Sequence, residues 1–140
     1  MKNVIFLLFI FINSLIYAQL NVKVDFYKCR NYDFDLNQAT GALINQHNAF
    51  LIDYNSEGIG KFIFLSNIDD IYQDTKKYKY DILDVSFGTY TGGERYIKLK
   101  CLDFLDRETE ILLTLKTKNN KQIISQIAII NEDNEGALFW

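Results

Sequence analysis

The stretch AFLIDYNSEGIGKFIFLS, Ala49 to Ser66, decides the fold class of this chain. Two runs rich in Phe, Ile and Leu flank the loop NSEGIG, and apolar arms around a short glycine-bearing turn predict a β-hairpin. Arms joined so tightly must be antiparallel, because a parallel pair needs a crossover of about a dozen residues or more.

The same signal repeats outward in both directions. Leu20, Val22, Val24 and Phe26 alternate with Asn21, Lys23 and Asp25, the period-two pattern of a half-buried strand. Residues 31–47 are less regular, and Gln38 to Gly41 reads as a turn or short helical loop. After the hairpin, Asn67 to Lys77 is polar enough for a loop with one helical turn. A second hairpin runs from Tyr78 to Phe87, through GTYTGGE, and back from Arg95 to about Leu102. Thr109 to Thr117 and Gln122 to Ile130 form a further pair around Lys118 to Lys121 (KNNK). The acidic loop NEDNEG then leads to Ala137–Trp140, read as a last core strand.

These segments predict an all-β domain, an antiparallel meander of seven or eight strands, as a small barrel or a two-layer sandwich. The three consecutive hairpin-like connections lean to the barrel, and the meander is loosely similar to small lipocalin-like barrels while carrying none of their sequence motifs.

The N-terminus, MKNVIFLLFIFINSLIYAQL, has Lys2 before an unbroken apolar run, Val4 to Ile12, and a small residue at Ala18. That is the layout of a signal peptide, residues 1–18, cleaved before Gln19. The run is interrupted by Asn13 and Ser14, short of the roughly 20 apolar residues a spanning helix needs. The expected product is a single β domain, 19–140, exported to a periplasmic or extracellular compartment with no membrane attachment. The lack of proline and the abundance of Ile, Asn, Lys, Phe and Tyr associate the chain with an AT-rich bacterial genome.

Fifteen basic and eighteen acidic residues give a net charge of −3, and removing Lys2 with the signal makes it −4. An acidic chain without a basic run argues against nucleic acid and against anionic membrane surfaces. An oxidising compartment makes Cys29 and Cys101 a candidate disulfide. Strand parity opposes it: Cys101 shares a face with Ile97 and Leu99, whereas Cys29 falls on the polar face of Asn21, Lys23 and Asp25 unless a bulge intervenes.

Chemistry motifs are sparse. His47, the single histidine, sits in NQHN with no local nucleophile and reads as a surface-loop histidine, and zinc-type ligand pairs are missing. Asn131, Asp133, Glu135 and Gly136 fit the first half of a calcium loop, but its position-twelve glutamate would fall past Trp140; Asp69, Asp70 and Asp74 are a second acidic cluster. Gly92–Gly93 marks a hairpin turn and lacks the GK[ST] of a phosphate loop. No cofactor is expected. Tyr78 and Tyr80, read as opposite to Leu83, Val85 and Phe87 and therefore exposed, form with Tyr90 and Tyr96 a candidate binding surface, with Tyr72 nearby. The sequence reading is thus a non-catalytic exported domain that binds another protein, with a small apolar-ligand carrier and a small secreted hydrolase as alternatives. The carrier reading places its void behind Val85, Leu99 and Leu113.

Overall fold

In the computed structural model, residues 19–140 are described; residues 1–18, where a cleaved signal peptide is expected, lie outside them. The meander closes on itself. Strands β1 (Leu20–Asp33), β2 (Gln38–Ala39), β3 (Ile44–Tyr54), β4 (Gly60–Ser66), β5 (Lys76–Thr89), β6 (Arg95–Leu102), β7 (Glu108–Lys118), β8 (Lys121–Ile130) and β9 (Glu135–Phe139) pair in the order 2-1-3-4-5-6-7-8-9, and β9 also pairs with β1. That last ladder decides between the two architectures. The molecule is an eight-strand antiparallel barrel, with the two-residue β2 as a flap on β1.

Turn chemistry sets the registers. Asn119 and Asn120 both have positive φ, the condition for the two-residue primed turn that matches strand twist. In the Asn55–Ile59 loop, Asn55 Oδ1 accepts from the N–H groups of Glu57 and Ile59, and Gly58 takes φ 76°. Gly60, opposite Tyr54, has no room for a Cβ, which would run into the Asp53 carbonyl oxygen.

The core is aromatic at one end and aliphatic at the other. Phe50, fully buried, stacks on Phe64 at 4.9 Å between centroids and meets Phe139 edge-on at 4.9 Å, with Phe62 at 5.7 Å and Phe26 at 6.0 Å. Phe139 is thereby a core residue, as the reading of the C-terminal strand expects, but Trp140 lies past the end of β9 and is 37% exposed, so the tryptophan is not part of the core. Leu99, Ile111, Leu113 and Ile127 fill the far side.

Three register shifts overrule simple parity. One, between Phe26 and Lys28, turns both Phe26 and Cys29 inward, although they are three residues apart. The disulfide expectation is nevertheless corrected: Cys29 and Cys101 are free, buried thiols. Cys29 lies in β1 and Cys101 in β6, half-way round the wall, and side chains fill the space between. A disulfide bridges Cα atoms no more than about 7 Å apart.

The wall is not complete. β9 covers β1 only from Cys29 to Asp33 and β8 only from Ile127 to Ile130; past that, the Trp140 main chain bonds Lys28. Among the described residues, no strand pairs with residues 20–27 on the edge facing away from β3, or with 123–126 on the edge facing away from β7. A cleft of about 390 Å³ lies there, lined by Leu20, Val22, Val24, Ile97, Leu115 and Ile124.

Candidate functional site

Up-and-down topology places the connections 34–43, 67–75, 103–107 and 131–134 at one rim of the barrel. Outside β2, these connections hold eight acidic residues and one basic residue, Arg107. They also carry large apolar side chains in water: Leu36 is 66% exposed, Ile71 87%, Tyr72 90%, Phe104 69% and Leu105 58%. Exposed apolar side chains also occur elsewhere, as at Ile59, Leu83 and Phe87, but the four most exposed among the described residues are all on this rim, and concentration of exposed apolar area marks interaction surfaces.

The rim's acids hold its apolar tips in place. Asp33 Oδ1 accepts the Leu36 N–H at 2.9 Å, Asp70 Oδ1 the Tyr72 N–H at 2.9 Å, and Asp103 Oδ1 the Leu105 N–H at 2.8 Å. Each is an Asx-type bond that pins a loop backbone beside the residue it presents. Asn37, Asn67, Asp106 and Asn134 take the left-handed conformation that Asn and Asp tolerate. Burial raises the Asp103 pKa, but hydrogen bonds from the Arg107 side chain and from the N–H groups of Arg107 and Leu105 outweigh it and hold the carboxyl below its ordinary range. Asn134 Nδ2 donates to Asp35, linking the 131–134 and 34–43 connections, and Glu132 accepts from the Glu108 N–H at the start of β7.

A clasp ties the 67–75 connection to the wall. His47, on β3 and not in a surface loop, has Nε2 2.9 Å from Asp25 of β1 and Nδ1 2.9 Å from Asp69 of the 67–75 connection. Tyr27 stacks on its ring at 4.6 Å. A carboxylate only accepts, so both contacts are hydrogen bonds when the ring is doubly protonated. The bonds to Asp25 and then Asp69 raise the His47 pKa, and the bond from His47 lowers that of Asp25.

The tyrosines do not form one surface. The register shift between Ile82 and Asp84 puts Tyr78 and Tyr80 on the same, inward face as Val85, which is level with fully buried Leu99; Leu83 is the residue turned out. Tyr78 stacks on Phe64 at 5.4 Å and Tyr80 meets Phe62 edge-on at 5.8 Å. Burial pushes the Tyr80 hydroxyl up to about 12. Tyr90 and Tyr96 lie toward the opposite rim, 4.6 Å apart, with the Tyr96 ring covering Gly88. Tyr72 alone stands at the acidic rim.

The remaining candidates are placed as follows. Both His47 nitrogens are engaged by carboxylates, and the cysteines lie elsewhere: burial raises the Cys29 thiol, whose polar neighbour is Asn48, and pushes Cys101 up to about 12. Among the described residues, no three His, Cys, Asp or Glu side chains are grouped to hold a metal ion. Asp133 is used in its own turn, accepting the Glu135 N–H, and Asp70 accepts from Asn67 and Tyr72. Leu99 and Leu113 are fully buried in the packed core, so the apolar space lies at the open seam and not behind them.

The rim escaped the sequence reading because its apolar residues sit in polar loops. The signal was there in DDIYQD and LDFLDR, where paired large apolar residues are bracketed by turn-forming aspartates. No protein-family model, curated protein or solved structure matches the chain.

Proposed function

We propose that this chain is exported, as a signal-bearing bacterial protein processed after Ala18, and that it acts without catalysis by binding another protein through the acidic, apolar-tipped rim. The observation that carries this reading is that the four most exposed large apolar side chains among the described residues, Tyr72, Ile71, Phe104 and Leu36, all stand on the loops of this one rim, several of them pinned by Asx-type bonds. The eight acids around them select a partner with a basic surface and an apolar centre, since charge complementarity speeds encounter and rejects like-charged surfaces. Commitment of both His47 nitrogens to carboxylates and burial of both thiols weigh against hydrolase chemistry.

The test is affinity capture from the exporting cell's periplasm or medium with the wild-type chain and with Tyr72→Ser and Phe104→Ser variants. Wild type is expected to retain a basic protein, with retention falling as salt rises, and both variants to lose it. Equal retention by wild type and both variants refutes the assignment of the rim.

A further inference from the structure

We propose that the seam between β1 and β8 is a slot for an extended segment of another polypeptide, which adds as a strand along the line that β9 begins. Where β9 lies between them, β1 and β8 are two strand spacings apart, about 9.6 Å. Past Trp140, whose main chain still bonds Lys28, the 390 Å³ cleft lies on the same side of the barrel, against residues 20–25 and 122–124.

The lining selects the occupant. Both walls are main-chain edges, residues 20–27 and 123–126, and every second residue of a strand presents its N–H and C=O to a given edge. The lining is mostly apolar, with Leu20, Val22 and Val24 of β1, Ile124 of β8 and Ile97 and Leu115 of the far wall, and it also carries the polar Lys23, Asp25 and Gln122. A fatty acyl chain covers the apolar lining but strips water from the edge groups without replacing their hydrogen bonds. A sugar offers hydrogen bonds and little apolar area. An extended peptide does both, bonding sideways to two edges while alternate side chains point down.

Direction and pattern follow from β9. It is antiparallel to both β1 and β8, so an occupant on the same line is antiparallel to both. The matching segment is about five residues long and alternates aliphatic with polar side chains. Edges of folded barrels are ordinarily blocked by proline or by short strands. The 20–27 edge has neither, although it carries the charges of Lys23 and Asp25 and ends at the register shift after Phe26; Tyr54, paired with Leu20 in the same wall, buries a hydroxyl with no partner among the described residues. The slot opens toward the rim opposite the acidic one, so it stands independently of the function proposed above.

The probe is an acetylated, amidated heptapeptide alternating threonine with valine and ending in lysine, added to isotope-labelled protein and followed by amide hydrogen exchange. At roughly ten times its Kd, exchange of the seam-facing amides among residues 20–27 and 123–126 is expected to slow about tenfold, with β4 unchanged. Two controls keep the result independent of folding: the same peptide N-methylated at its valines, and laurate. Neither is expected to protect the seam. Equal protection by laurate or by the N-methylated peptide overturns the proposal in favour of an apolar-ligand pocket. Seam amides already protected in the free protein, with sedimentation showing a dimer, assign the slot to a second copy and overturn it too, as does absence of peptide binding. Phe104→Ser is expected to leave peptide protection intact.

Discussion

Two phenylalanines separate folding from function. Phe50 is fully buried and touches four rings, whereas Phe104 is 69% exposed. Truncating a buried Phe to Ala costs about 3–5 kcal/mol, and loss of four aromatic contacts places Phe50→Ala in the upper half, at about 4 kcal/mol. A domain of this size changes Tm by roughly 4 °C per kcal/mol, so Phe50→Ala should lower Tm by about 16 °C. Phe104→Ala removes as many atoms from a site that is mostly water and should fall within about 0.5 kcal/mol of wild type. Urea unfolding followed by circular dichroism gives both values, with equal m-values licensing the comparison. A loss of about 2 kcal/mol or more in Phe104→Ala refutes the reasoning, because the ring would then be a structural element and its exposure no sign of a partner.

Other outcomes follow from the same structure. The His47 pKa is raised, so its contribution to stability is complete below its ordinary value of 6.5 and is lost as pH rises through the folded value. Asp25 is lowered, so its contribution is present above its ordinary value of 3.8 and is lost as pH falls through the folded value. The Tm difference between wild type and His47→Gln should therefore be largest between those two ordinary values and shrink on both sides; a pH-independent difference contradicts the clasp. Gly60→Ala, with its new methyl against the Asp53 carbonyl, should cost about 1–3 kcal/mol or more in urea unfolding. Gly92→Ala, whose Cβ meets nothing within 4 Å, should be near neutral. Cys29 and Cys101 should react with a thiol reagent only after denaturation, and reducing agent should leave Tm unchanged, since no disulfide is there to break.

Strand existence was legible from alternation because a half-buried strand writes its two faces into the sequence. The Ala49–Ser66 hairpin and the Asn119–Asn120 turn were readable residue by residue. Orientation was legible only as far as the next register shift. The shift at Ile82–Asp84 sent Tyr78 and Tyr80 into the barrel, and the one at Phe26–Lys28 brought Cys29 in, because one residue's slip flips every side chain that follows. Closure depends on the β1–β9 ladder between opposite ends of the domain, which no local pattern encodes. The seam was illegible for the same reason: it exists where a ladder stops. The rim's composition was local, and DDIYQD carried it in plain view.

The most direct test of the binding assignment is site-specific photocrosslinking in the cell that makes the protein. A benzophenone side chain replaces Tyr72 at the acidic rim, Lys100 on the outer face of β6, or Lys118 at the opposite rim. Light-dependent attachment to one basic protein from position 72, and from neither of the others, is the expected result. Attachment from Lys100 or Lys118 with none from position 72 contradicts the account.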